Sequence, residues 1–472
     1  MRGLVWLRND LRLDDNPSFE SAFLECEEVL AVYLYSPKQW NSHNESNVKL
    51  DFLIQNLQSL SKNLSNLNVP LIVLNSLNFK SVSMELDEFI SDNNVDKIYW
   101  NREFGLNEEN RDEEVKSFLI SSKQRFEIFN DQILFEPGSL KTQQGGNFSV
   151  FTPFKNKWKL EFEESFLPQE FDYKSRKKID LESNALIFNF QFIKTHNCDM
   201  SLWPAGENSA LARLEDFLSE RVTNYERDRN DPNLEGTSRL SPYLALGIIS
   251  SRRSIQKSYE QNDKNLIKKN QGIVKWIDEL IWREFYRNIM HLNPKVSKNQ
   301  PFKDSTKNID WKYDEDQFKS WCEGQTGFPI IDAAMRQLKH EGWMHNRLRM
   351  VVAMFFSKNM FHDWRLGEKF FMQNLIDGDF SSNNGGWQWS ASTGTDAAPY
   401  FRIFNPVSQS EKFDKTGAFI RRYVPELKDL NSKEIHSPIQ GLLYPEGYPR
   451  PMLDLKETRL LAIETFKNHK DI

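Results

Sequence analysis

At 472 residues, 39% hydrophobic and 27% charged, the chain is too long for one core, and two domains of a soluble protein are expected. No run approaches the ~18 apolar residues of a membrane span, and three scattered cysteines (Cys26, Cys198, Cys322) suit neither a disulfide framework nor zinc. The net charge of −6 divides unevenly: residues 1–130 carry 13 Lys and Arg against 21 Asp and Glu, and the remainder 48 against 46, which permits a basic face on the later part.

The opening "MRGLVWLRND" reads as a first strand, because a secretory signal needs a longer apolar core. Further strand-like runs are 29–35, 70–74, 97–100 and 126–129, with a helix carrying Leu53, Leu57, Leu60, Leu64 and Leu67 between the second and third. This alternation predicts a doubly wound parallel, Rossmann-like α/β domain over 1–130. It lacks G-x-G-x-x-G, so no dinucleotide is expected on its first turn. Residues 131–200 lose the alternation and read as a partly packed connector; from "SALARLEDFLSERVTNY" (209–225) onward the pattern is helical, predicting an all-α domain over 201–472.

Four stretches of that region could carry chemistry. In "EGTSRLSPYLALG" (235–247), Ser241 suits an N-cap with Pro242 in the first turn, and Thr237, Ser238 and Arg239 suit a phosphate or an ordinary capped helix. In "WIDELIWREFYRNIM" (276–290), Trp276, Glu279, Arg283 and Arg287 share one helical face opposite Ile277, Ile281 and Phe285, as a cleft wall or a surface ion pair would. "GFPIIDAAMRQLKHEGWMHNRLRM" (327–350) predicts two helices broken at Gly342, with Asn346 and Arg347 suited to a base edge or phosphate and Arg349 to a carboxylate. "DGDFSSNNGGWQW" (377–389) has asparagines and glycines that oppose a helix, yet two tryptophans. Together its residues describe a pocket for a large, flat, polar-edged cofactor.

These motifs, with "STGTDAAPYFRIFNP" (392–406), resemble in their order the photolyase/cryptochrome family, and most closely its bacterial class I cyclobutane-dimer enzymes of the folate-antenna type. The resemblance covers essentially the whole chain. It implies a helical FAD domain: Asp377, Gly378 and Asp379 at the flavin and its ribose, Asn383 at the flavin N5, Arg349 paired with Asp377, and Tyr225 with Thr237, Ser238, Arg239, Leu240 and Ser241 at the phosphates. It further implies that Glu279 hydrogen-bonds a flipped-out dimer, that Trp282 and Trp389 flank its two fused bases, that Asn346 and Met350 line the pocket, and that Trp276 belongs to the substrate- and DNA-binding set. Arg229, Arg283, Arg347 and Gln409 would face the DNA backbone, and Trp387, Trp364 and Trp311 would form a photoreduction chain. His43, Asn107, Glu108 and Lys298 match the family's site for 5,10-methenyltetrahydrofolate, although Ser297 stands where the pattern carries cysteine.

The implied activity is light-driven repair of pyrimidine dimers in damaged DNA by electron transfer from excited FADH⁻. A cytoplasmic monomer is expected, with no metal, membrane or obligate protein partner. Three rivals are weighed. A cryptochrome receptor usually has a longer tail after the 396–406 motif and Asp or Cys at the position of Asn383. A (6-4) photolyase usually has histidine at that of Asn346. A redox flavoprotein with a mobile substrate would need a nicotinamide site, and none is visible.

Overall fold

Five runs rich in β-branched and aromatic residues pair as one parallel sheet. They are β1 (Arg2–Leu7), β2 (Glu28–Tyr35), β3 (Leu71–Asn75), β4 (Lys97–Asn101) and β5 (Arg125–Phe129), in the order β3-β2-β1-β4-β5. In register, Val5 on β1 sits opposite Ala31 on β2 and Tyr99 on β4. Helices α1 (Pro17–Glu25), α2 (Asn47–Ser65), α3 (Val82–Asp92) and α4 (Leu106–Ser121) connect the strands. Leu4, Trp6, Leu30, Val32, Ile98 and Trp100 form a buried core with Leu86, Val115 and Leu119 from α3 and α4. The predicted strands and the 53–67 helix therefore form where the periodicity put them.

The computed structural model describes residues 1–190, 193–440 and 444–468, and they pack as two compact units. The first unit comprises 1–196, 203–220 and 239–294; the second comprises 197–202, 221–238 and 295–472. The first unit thus takes in most of the connector, including a helix the sequence did not announce, α5 (Phe151–Glu161), as well as α6 (Ser251–Gln261) and α7 (Gln271–Leu292).

Buried charge explains why residues around 250 join the α/β sheet. Arg252 donates to both Asp15 carboxylate oxygens (3.0 and 3.1 Å from Nε) and to Asp131 Oδ1 (2.8 Å), while Arg12 also bonds Asp131. Burial works to raise the Asp131 carboxyl, but Arg12 and Arg252 outweigh it and hold the group below its ordinary range. Beside this network Arg253 donates to Asp14 at 2.7 Å.

Among the helices of the second unit are α8 (Pro329–Glu341), α9 (Asn346–Met354), α10 (Trp364–Met372), α11 (Phe380–Ser390), α12 (Pro406–Phe413) and α13 (Leu455–Asn468). The predicted break at Gly342 is a left-handed C-cap, φ 65°, whose N–H bonds Leu338 O. No helix among the described residues is long and apolar enough to cross a membrane.

Arg252→Ala strands buried Asp15 and leaves Asp131 with Arg12 alone, and is expected to cost about 3–5 kcal/mol, read as a lower urea midpoint. An unchanged midpoint would show that the network does not hold the first unit together.

Candidate functional site

The stretch 377–389 does form a helix over most of its length, contrary to its composition. Asp379 caps α11, accepting from Ser382 N at 2.9 Å, and tertiary packing supplies what propensity lacks. Trp387, 2% exposed, packs edge-to-face on Phe371 (5.0 Å), Phe356 (5.7 Å) and Trp321 (6.2 Å). Its indole also lies on Gly367 of α10, where a Cβ would come within 2.1 Å of the ring. The other two predicted chain members are distributed differently: Trp364 is fully buried in the same apolar cluster, and Trp311 is half-buried against it, touching Phe361 and Phe466.

Just before the helix, Asp377 is buried and its Oδ2 accepts from Arg349 at 2.7 Å. Arg349 is itself fixed by Met344 O at 2.8 Å. The other Asp377 oxygen, Oδ1, receives no hydrogen bond from the described residues. Asn383, one turn into α11, donates to Glu368 O at 3.0 Å and more weakly to Glu368 Oε1 at 3.4 Å. Burial pushes the Glu368 carboxyl up to about 7, against the Asn383 bond. Sequence reading missed Glu368, although it lies on the buried stripe Trp364–Gly367–Glu368–Phe371 of an amphipathic helix. An acid on such a stripe is a signal in itself.

A second cluster in this unit gathers cations. Arg347 donates to Asn230 Oδ1 at 2.6 and 3.1 Å and lies 4.6 Å over the Phe413 ring. Burial and the neighbouring Arg229 both push its guanidinium down. Arg229 in turn lies 5.3 Å from the ring of buried Tyr225. Asn346 begins α9 and is exposed, while Met350, Trp389, Thr237 and Gln409 are partly buried and Ser238 is buried.

In the first unit, the 240s motif shifts by one residue. Leu240 is the cap of a five-residue helix and Ser241 its first member, with Arg239 at φ 50°. The α7 face departs further from a cleft wall. Trp276 is buried against Phe217 (5.1 Å), and Arg287 is buried with Nε on Gln132 Oε1 (3.1 Å). Arg283, half-buried, donates to Gln132 O, Ser251 Oγ and Leu244 O, tying the connector to the helical region. Glu279 and Trp282 remain half-buried. Trp282 stacks face-to-face on Phe151 of α5, 3.6 Å between centroids at 10°.

His43, Asn107 and Glu108 do meet in the first unit. Asn107 Nδ2 donates to His43 Nε2 at 2.8 Å, which leaves the Nδ1 side facing Glu108 Oε1 at 3.5 Å. Glu108 folds over Gly105, where a Cβ would fall 2.0 Å from Oε2. Desolvation raises the Glu108 carboxyl and His43 opposes the rise. His43 and Glu108 border a cavity of about 70 Å³ lined also by Trp6, Tyr33, Trp40 and Arg111. Lys298 belongs to the second unit and is exposed.

A parallel sheet without a dinucleotide fingerprint, and a helical unit with a buried half-satisfied Asp377 and a held Asn383, suit a protein whose flat, polar-edged cofactor binds the helices. The unpartnered Asp377 oxygen and the Asn383 amide fit the polar ring edge of FAD.

Comparison with known proteins agrees. Residues 3–172 match the family model described as DNA photolyase, and 276–468 that of the FAD binding domain of DNA photolyase. Proteins named deoxyribodipyrimidine photo-lyase from Vibrio cholerae and Escherichia coli are 40% and 39% identical, over 99% and 98% of both chains. A bacterial class III photolyase structure from Agrobacterium tumefaciens aligns with a TM-score of 0.88 at 32% identity, covering 100% of this chain and 98% of that one. A Synechocystis cryptochrome aligns at 0.85 and 27%, covering 98% and 99%. The chain belongs to the photolyase/cryptochrome family.

Because the folded-state Glu368 pKa lies above the ordinary carboxylate value, its contribution to stability is complete below about 4.5 and lost as pH rises through about 7. Melting the protein between pH 5 and 9 should show wild type losing up to about 3 kcal/mol relative to Glu368→Gln across that window. Parallel curves would show that Glu368 ionises freely. Gly367→Ala should lower the melting temperature sharply at every pH, since Trp387 has nowhere to move.

Proposed function

We infer that this protein is a light-driven lyase that repairs cyclobutane pyrimidine dimers in DNA, with FAD as its cofactor. The observation that carries the reading is the Asp377–Asn383 segment, with its buried carboxylate oxygen and its Glu368-held amide, in a chain that matches DNA photolyases over nearly its whole length.

When bound and reduced, FAD supplies under light the electron that opens the cyclobutane ring and receives it back afterwards. Asp377, Gly378, Asp379 and Asn383 hold the flavin's polar side, with Arg349 fixing Asp377. Tyr225, Thr237, Ser238, Arg239, Leu240 and Ser241 hold the phosphates. The indoles of Trp311, Trp364 and Trp387 carry electrons inward from the surface, for which a buried apolar cluster is a suitable medium.

Glu279 hydrogen-bonds the dimer, Trp282 and Trp389 offer it ring faces, and Asn346 and Met350 complete its contacts. A dimer stacks poorly, so flipping it costs less than the usual few kcal/mol, and ring stacking returns about 1–3 kcal/mol per base. Arg229, Arg347 and Gln409 take the backbone phosphates. Arg283 joins them while tied to Gln132 O, Ser251 Oγ and Leu244 O of its own chain. His43, Asn107 and Glu108, with Lys298, hold a methenyltetrahydrofolate antenna. The protein works as a cytoplasmic monomer, consistent with the lack of a membrane-spanning helix among the described residues.

Reduced protein mixed with thymine-dimer DNA should restore thymines under blue light and not in darkness, and Glu279→Ala should lower the yield several-fold. No repair with reduced flavin bound would instead favour a receptor or another lesion. Binding measured against salt should lose about 0.7–0.9 from its log–log slope for each of Arg229→Ala and Arg347→Ala; unchanged slopes would remove them from the DNA contacts. Gly105→Ala should displace the Glu108 carboxylate and reduce bound folate with little change in melting temperature. Undiminished folate in that variant would place the antenna elsewhere.

A further inference from the structure

Trp282 is the aromatic residue of α7 whose surroundings are hardest to explain as packing alone. Its ring lies 3.6 Å from that of Phe151, almost parallel at 10°. Face-to-face sandwiches are the least favoured aromatic geometry, so something must hold the two together.

That hold is visible on either side of the stack. Lys155 and Lys159 of α5 both reach Asp278 of α7, at 3.1 and 2.7 Å. Trp158 donates its indole N–H to Glu284 Oε1 at 3.0 Å. Phe154 packs on Phe285 at 5.2 Å. Ion pairs, an indole hydrogen bond and ring packing therefore clamp α5 along α7 through residues 278, 284 and 285, which bracket position 282. Phe151 itself is 4% exposed, whereas Trp282 is only partly buried.

We propose that Phe151 is a positioning residue for lesion binding: it covers one face of Trp282 and locks the indole so that a single ring face, in one orientation, is presented to the flipped dimer. The proposal rests on the repair reading. A locked ring loses little rotamer freedom when a base stacks on it, and restoring that freedom should weaken dimer binding about three- to tenfold.

The test uses the holoenzyme with Phe151→Met, which keeps the volume but not the flat face, and Phe151→Tyr, which keeps both. Phe151→Met should raise the KM for dimer DNA about three- to tenfold, leaving kcat, flavin content and affinity for undamaged DNA unchanged, and Phe151→Tyr should restore it. In a Trp282→Ala background the Phe151→Met effect should vanish. Equal loss for damaged and undamaged DNA, a persisting effect without Trp282, or no effect of Phe151→Met would each overturn the proposal. Should Phe151→Met not fold, Phe151→Leu carries the same comparison. Wild type that fails to bind or repair dimers would sink the underlying reading instead.

Discussion

Gly367 has no side chain, and the second unit is arranged around that fact. The Trp387 indole occupies the volume a Cβ would need, so α10 and α11 approach closely over one turn. The next residue along α10 is Glu368, and the residue one turn before Trp387 is Asn383; close approach is what brings their amide and carbonyl to 3.0 Å. Asp379, at the cap of the same helix, and Asp377, two residues earlier and fixed by Arg349, follow from its placement. A segment of poor intrinsic helix formers is thereby made rigid by its neighbours, so the polar groups it carries are held rather than solvated.

The first unit solves a different problem, the burial of charge. Its early sequence is acidic, and division of the chain by position suggested an acidic front with a more basic back. The structure redistributes those charges: Arg252 and Arg253, from the later part, neutralise Asp15, Asp131 and Asp14 inside the first unit. Charge counted along a sequence is therefore a poor guide to surface potential when folding pairs distant residues. In the second unit, by contrast, Arg229 and Arg347 lie close enough that one lowers the other's pKa.

Much of the architecture was legible because the strands are short, apolar and separated by turn residues, and because Gly342 sits where a helix must end. The segment 380–390 was misread as non-helical, since intrinsic propensity is a weak prior and Trp387 packing overrides it. The α7 stripe was misread for a related reason. A helical wheel assumes one wet face, but Trp276 and Arg287 are both buried because α5, Phe217 and Gln132 close around the helix. Arg283 came to the DNA backbone through motif resemblance, and its three oxygen partners show a tie within the fold that no spacing announced. The Arg349–Asp377 pairing came from motif resemblance and could not have come from spacing, as the two are 28 residues apart. Phe151 and Glu368 were invisible because their meaning lies in what they touch.

The pairing of Arg252 with Asp15 and Asp131 also has a temporal side. These partners are 237 and 121 residues apart in the chain. At the ~5–20 residues per second of protein synthesis, the ribosome finishes the five strands on the order of ten seconds before it makes Arg252. Throughout that interval the nascent sheet has Arg12 alone to set against two carboxylates destined for the interior. The α/β half must therefore wait, partly open and hydrated, for a helix encoded far downstream, and the order of translation becomes a constraint on when the first unit can close.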